Sequence, residues 1–134
     1  MGAWGSGAFE NDFASDWVFG LEQVDDLSII EEAFDELENA EAPIESDVGC
    51  VAIAACEVLA RLIGRPESGE SSEETVDEWV AGHPQEVPAA LRQRAVKAID
   101  RVMAEGSELR DLWDEAGDKS WLTGVKNLRK RLSP

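Results

Sequence analysis

Four residues near the start of the chain carry side chains that are suited to binding an ion: Glu10, Asn11, Asp12 and Asp16. Asp12 and Asp16 are one helical turn apart, so a helix would place both carboxylates on one face. Oxygen ligands of this kind suit magnesium or calcium. The same residues also suit a helix start, because Asn or Asp caps backbone N–H groups and carboxylates favour the positive end of the helix dipole. We favour this capping interpretation, and a divalent-metal site is the alternative.

Three further residues could take part in nucleophilic or acid–base chemistry: Cys50, Cys56 and His83. Both cysteines lie in an apolar run, where a thiol behaves as a small hydrophobic group with a raised pKa. His83 lies between Gly82 and Pro84, a combination typical of a surface turn that ends a helix. The sequence contains no phosphate-binding loop, zinc-ligand spacing or dinucleotide fingerprint. It therefore favours a non-enzymatic protein without a cofactor over an enzyme.

Helices are the elements that must position these residues, because apolar side chains recur at helical spacing and no segment alternates convincingly at period two. The first helix is predicted to start at Asn11 or Asp12. Its expected buried residues are Phe13, Ala14, Trp17, Val18 and Leu21. The second is predicted to start near Asp26 to Ser28, since Ser28 and Glu31 have the spacing of a capping box. Further starts are predicted at Ser71, Pro88, Ser107 and Asp118.

A central helix is predicted over residues 48–63, where apolar side chains occur nearly all round the helix axis. We expect Ala52, Ala55, Cys56 and Leu59 to be among the least accessible residues. The predicted fold class is therefore all-α, a compact single domain (1–134) of six or seven helices around this central helix.

Two segments outside the helices are also predicted. Residues 65–72 are polar and rich in turn-forming residues, and they are expected to form an exposed loop. Residues 1–10 are rich in glycine and are expected to form an irregular arm. Trp4 and Phe9 of this arm are predicted to pack near Phe13 and Trp17, because glycines let the backbone reverse.

The chain has a formal net charge of −17, which should repel nucleic acids and anionic membranes. Residues 1–64 contain 15 acidic residues and one basic residue, whereas residues 65–134 contain 14 acidic and 11 basic residues. The outer face of the second helix is strongly acidic and includes Glu31, Asp35 and Glu38. The predicted partner is therefore a basic protein, and the predicted partner surface is this helix face.

The cysteine content and the sequence start predict a cytoplasmic location. Cys50 and Cys56 are the only cysteines, and a helix would place them about 9 Å apart along its axis, too far and too divergent for a disulfide. No signal peptide or membrane-spanning run is recognised. A reducing cytoplasm suits such a chain.

The opening of the sequence resembles the signature of a family of bacterial domains of unknown function. The matching residues are Met1 to Gly5, Phe9 to Asp12, Ala14, Asp16 and Trp17, in the pattern MGAWGxGxFENDxAxDW. A later stretch, Ser107 to Trp113 followed by Trp121 and a basic end, is also similar to that family. The resemblance implies a short helical protein and carries no catalytic or ligand residues.

Two functions remain open on these observations. The first is an interaction module whose acidic helical surface binds a basic protein, in the manner of an immunity or antitoxin-like inhibitor. The second is a metal-binding protein or metal-dependent enzyme that uses Glu10, Asp12 and Asp16.

Overall fold

The computed structural model describes residues 7–66 and 74–133, and these residues form seven helices. The helices are α1 (Asp12–Leu21), α2 (Ser28–Asn39), α3 (Ser46–Leu62), α4 (Glu74–Gly82), α5 (Ala89–Met103), α6 (Glu108–Ala116) and α7 (Ser120–Leu132). Within the two described ranges, extended pairing is limited to one isolated bridge between Ile44 and Ser107. The predicted all-α fold class is confirmed.

Helix α3 lies at the centre of the molecule and contacts each of the other six helices. Its surroundings follow from its sequence, because a helix that is apolar on all sides is stable only when neighbours cover every face. Ala52, Ala55, Cys56 and Leu59 are fully buried, as predicted. Gly49 allows α6 to approach closely, since a methyl group there would lie 3.4 Å from the side chain of Leu109.

The ends of α6 confirm two signals that were visible in the sequence. Ser107 precedes the helix, and its hydroxyl accepts a hydrogen bond from the backbone N–H of Arg110 at 3.4 Å. Gly117 follows the helix with φ of +71°, a left-handed conformation that glycine adopts without a Cβ penalty. Both ends of α6 are therefore determined locally.

The predicted capping box at the start of α2 is wrong. Ser28 is the first residue of the helix, and the preceding Leu27 has no side-chain cap. The Asp26 carboxylate instead accepts hydrogen bonds from the Ser28 hydroxyl at 2.6 Å and the Ser28 N–H at 3.1 Å. These bonds lower the pKa of Asp26 below its ordinary value. Asp26, two residues before the helix, thus accepts the hydrogen bonds at this helix start in place of the predicted Ser28 cap.

Several predictions concern residues outside the described ranges, namely the placement of Trp4, the helix start at Ser71 and most of the 65–72 loop. Within the described part, Arg65 and Pro66 are exposed and Phe9 is buried. No helix there is long and apolar enough to cross a bilayer.

Candidate functional site

The first two residues of the predicted acidic cluster serve the local backbone. Asn11 is the N-cap of α1, and its side-chain oxygen accepts a hydrogen bond from the Ala14 N–H at 2.8 Å. The Glu10 carboxylate accepts a hydrogen bond from the Gly7 N–H at 3.0 Å, which closes the turn before the helix. The capping interpretation is confirmed for Asn11, and Glu10 stabilises the adjoining turn.

The other two residues of the cluster point outward. Asp12 and Asp16 are exposed, and neither forms a salt bridge with any residue in the described ranges. Asp12 lies in the first turn of α1, where a carboxylate is favoured by the helix dipole. In the described part of the chain, no three His, Cys, Asp or Glu side chains converge in a way that could hold a metal ion. Metal binding by this cluster stays a prediction without a converging ligand set.

Two exposed phenylalanines adjoin these carboxylates on α1. Phe19 is 65% exposed and lies three residues after Asp16, so its ring shares the outward face with Asp12 and Asp16. Phe13 is 41% exposed, and its predicted burial is wrong. The core covers a narrower part of α1 than the apolar pattern implied, because only Ala14, Val18 and Leu21 of this helix are buried. We call the outward side chains of Asp12, Asp16 and Phe19 the α1 face.

Two of the three residues of the predicted partner surface on α2, Asp35 and Glu38, form ion pairs within the molecule. Arg94 of α5 donates hydrogen bonds to both carboxylate oxygens of Glu38, at 2.9 and 3.0 Å, and to Asp35 at 2.7 Å. The two carboxylates raise the pKa of Arg94, with the Glu38 hydrogen bond as the largest cause. Of the three predicted residues, Glu31 forms no salt bridge in the described part. Glu32 and Glu36, one turn apart and exposed, were not singled out from the sequence.

An ion-pair network that links α3, α4 and α7 around the buried carboxylate of Glu57 was missed by sequence reasoning. Glu57 of α3 is 2% exposed, and Arg131 of α7 donates to both of its oxygens at 2.7 and 2.9 Å. Arg61, one turn after Glu57, bonds to Asp77 of α4. The only signal in the sequence was a Glu and an Arg at i,i+4 spacing inside an otherwise apolar helix.

The N-terminal turn packs directly against this network. The Phe9 ring lies beneath the Arg61 guanidinium, with the guanidinium carbon 5.2 Å from the ring centroid. Cation–π contacts of this kind are favourable, especially when the pair is shielded from water. A cavity of about 230 Å³ adjoins the network, lined in part by Gly7, Glu10 and Glu57. Because both oxygens of Glu57 are bonded to Arg131, this carboxylate holds helices together and is not available as a free base.

Neither cysteine is an activated nucleophile, because burial raises the pKa of both thiols. Burial raises the pKa of the Cys50 thiol to about 11, and the nearby Asp47 carboxylate adds to the effect. Cys56 is fully buried, which raises its pKa further, with Glu57 as the second cause. Its thiol lies 3.6 Å from the backbone carbonyl of Ala95. Both groups are neutral thiols at physiological pH and are poor nucleophiles.

His83 lies directly after α4 and contacts Trp79 and Asp25. Its ring stacks on Trp79 with the ring centroids 4.9 Å apart, and Nδ1 lies 2.9 Å from the Trp79 carbonyl oxygen. Nε2 lies 3.0 Å from an Asp25 carboxylate oxygen, and the Trp79 indole donates to the Val24 carbonyl. These contacts attach the α1–α2 connection to α4. Among the described residues, the ring nitrogens of His83 contact a backbone carbonyl and a carboxylate, not a cysteine or hydroxyl group.

The comparisons with known proteins do not assign an activity to this chain. No curated protein and no solved structure shows significant similarity to it. A protein-family model described as "Domain of unknown function (DUF4259)" matches residues 2–124, which is most of the chain. The resemblance seen at the N-terminus is thereby confirmed at the level of a family without an assigned activity. This protein belongs to the DUF4259 family.

Proposed function

We propose that this protein is a non-enzymatic interaction module that binds a basic protein through its acidic helical surface. The α1 face supports the proposal, because a phenylalanine that is 65% exposed lies beside two carboxylates that form no salt bridge with a described residue. An aromatic side chain can anchor an interface by entering a pocket on the partner. The surrounding carboxylates would speed encounter with a positively charged surface and set the orientation.

The exposed acidic residues of α2 add to the negative charge of the molecule. The end of α1 approaches the start of α2, since a Cβ atom on Gly20 would lie 2.8 Å from the Ile29 side chain. Glu31, Glu32 and Glu36 are exposed and form no salt bridge with a described residue. These charges add to the field of a chain whose net charge is −17. The strongest version of the proposal is an immunity or antitoxin-like inhibitor that captures a basic toxin or nuclease.

The proposed compartment is the cytoplasm. Cys50 and Cys56 are both free and buried in the core, which suits a reducing environment. The proposed basic partner would bind the protein in the same compartment.

The test is quantitative affinity capture from the native host with the wild-type chain and single variants. Phe19→Ala removes the aromatic anchor, and Asp16→Lys reverses a mid-helix charge without disturbing the cap at Asn11. Glu115→Lys is the matched control, because Glu115 is an exposed acid on α6 without a salt bridge to a described residue. We expect both α1 variants to recover roughly tenfold less of a specific basic protein than the control does.

Two results would overturn this function. Equal recovery by the wild type, both α1 variants and the control would show that the α1 face is only a solvated surface. Tight binding of magnesium or calcium that Asp12→Ala abolishes would instead support the metal-binding alternative. Thermal melts of every variant keep a folding defect from being read as a binding defect.

A further inference from the structure

A groove with the opposite charge lies between α5 and α7. Its volume is about 490 Å³, and its lining is mainly apolar, with Val96 on the wall and Leu132 at the base. Three cationic side chains, Arg92, Lys97 and Arg129, line it together with a single carboxylate, Asp100. The groove therefore carries an excess of two positive charges in a protein that is strongly acidic as a whole.

Two of the three cations are held in place by the protein. Arg92 donates hydrogen bonds to the Leu132 carbonyl at 3.1 and 3.3 Å and to the Ser133 carbonyl at 3.3 Å, at the C-terminal end of α7. Arg129 forms a two-point ion pair with Asp100 at 2.6 and 3.2 Å. The bonds to the end of α7 orient the partly buried Arg92 side chain beside the groove, whereas Arg129 and Asp100 are both about half exposed and pair more weakly. A ligand would therefore lose less conformational entropy on contact with Arg92.

Lys97 is the cation that remains available. It is exposed, and within the described ranges it takes part in no salt bridge. Its position on α5, one residue after Val96, places this exposed ammonium group beside the apolar wall. The groove thus offers apolar area and positive charge side by side.

We propose that the α5–α7 groove binds an acidic amphipathic segment of a partner protein. Apolar side chains of that segment would occupy the groove, as in other helix-in-groove complexes, and its carboxylates would face Lys97 and the groove arginines. This surface is separate from the α1 face. The proposal therefore does not depend on the proposed function.

The charge of the whole molecule favours a short segment over an extended polyanion. A nucleic acid or an anionic membrane would extend past the groove and meet the net charge of −17. A short peptide makes its contacts within the groove, and charges farther away than about 8 Å are largely screened at physiological ionic strength. The local positive excess then determines the interaction.

The experiment measures binding of a fluorescent, helix-forming peptide with Leu and Glu at helical spacing to the full-length protein. Two control peptides carry Gln in place of Glu, or Ala in place of Leu. Lys97→Glu tests the groove, and Lys119→Glu is the matched control at the far end of α7, about 20 Å from Leu132 along the axis. Fluorescence anisotropy gives the affinities, and backbone amide shifts locate the peptide.

We expect the Leu/Glu peptide to bind with shifts at Val96, Lys97 and Leu132. Binding should weaken roughly tenfold with Lys97→Glu or with either control peptide and stay nearly unchanged with Lys119→Glu. Equal affinity for the two protein variants, equal affinity for the Gln peptide, or shifts confined to other helices would overturn the proposal. The proposal is also wrong if Lys97→Glu instead removes binding to anionic phospholipid vesicles or self-association of the protein, because the occupant would then be a membrane or a second copy.

Discussion

Glu57 on α3 and the pair Asp12 and Asp16 on α1 carry the same functional group in opposite environments. Glu57 is 2% exposed, and both of its oxygens bind Arg131. Asp12 and Asp16 are exposed and form no salt bridge with a described residue. A buried carboxylate must be paired because its desolvation is costly, whereas an exposed one keeps its water and stays available. Burial thus distinguishes Glu57, which must be paired, from Asp12 and Asp16, which a partner can reach.

Replacing Glu57 should have the largest effect on stability. Glu57→Gln leaves Arg131 without its carboxylate partner, and breaking a buried pair typically costs about 3 to 5 kcal/mol. We expect a cost near the lower end of this range, because the Arg131 side chain is 14% exposed and Arg61 keeps Asp77 as a partner. Urea unfolding of the variant and the wild type measures the change in the free energy of unfolding. Asp16→Asn, the exposed counterpart, should change it by less than about 0.5 kcal/mol. Equal effects of the two substitutions would remove the distinction between the two regions.

The effect of Glu57→Gln can be compared with the loss of a buried apolar side chain from the same helix, α3. Leu59 is fully buried, and Leu59→Ala should cost about 2 to 5 kcal/mol through lost burial and the cavity that remains. Urea unfolding checks the value. A cost below about 1 kcal/mol would mean that α3 is not at the centre of the core.

The thiol of Cys50 should make stability depend on pH in the alkaline range. Burial raises its pKa in the folded protein to about 11, above the ordinary value of 9.0, so the unfolded chain releases this proton first. The contribution is present below pH 9 and is lost as the pH rises toward 11. Cys50→Ala should therefore lose about 1 kcal/mol less than the wild type between pH 8 and pH 10 in urea unfolding. Parallel curves for the two proteins would contradict the burial of this thiol.

Arg94 is intermediate between the buried ion pair of Glu57 and the exposed carboxylates of α1, because its own carboxylate partners are half exposed. Arg94→Ala should cost about 1 kcal/mol or less, since ion pairs in contact with water are weak even in a network. It also releases Asp35 and Glu38 for contact with a partner. Urea unfolding measures the cost, and a loss comparable to that of Glu57→Gln would place Arg94 among the core ion pairs.

The α1 face should show the smallest effect on stability. Phe19 is 65% exposed, so Phe19→Ala should change the free energy of unfolding by less than about 0.5 kcal/mol. Ala14→Asp is the contrasting variant, because it places a charge at a fully buried position of the same helix and should destabilise strongly. Thermal unfolding distinguishes the two. A clear loss of stability with Phe19→Ala would mean that the ring supports the fold.

The helical elements and the central position of α3 could be predicted from the order of residues alone. Asn11, Ser107 and Gly117 act on backbone groups a few residues away, so their roles are readable from the chain order. The identity of α3 as the central helix followed from its apolar surface, which no solvent-facing position would tolerate. These features depend on local hydrogen bonding or on the total apolar area of one helix.

The pairing of charged side chains and the exposure of aromatic ones could not be predicted from the sequence, because both depend on how the helices pack. Arg131 binds Glu57 across 74 positions of the chain, and Arg94 binds Glu38 across 56. Helical periodicity shows which face of α1 is apolar but not how wide a neighbour covers it, so it misplaced Phe13 and did not identify Phe19 as exposed. Pairing and exposure depend on the angles and distances at which helices pack, and those are properties of the assembled bundle.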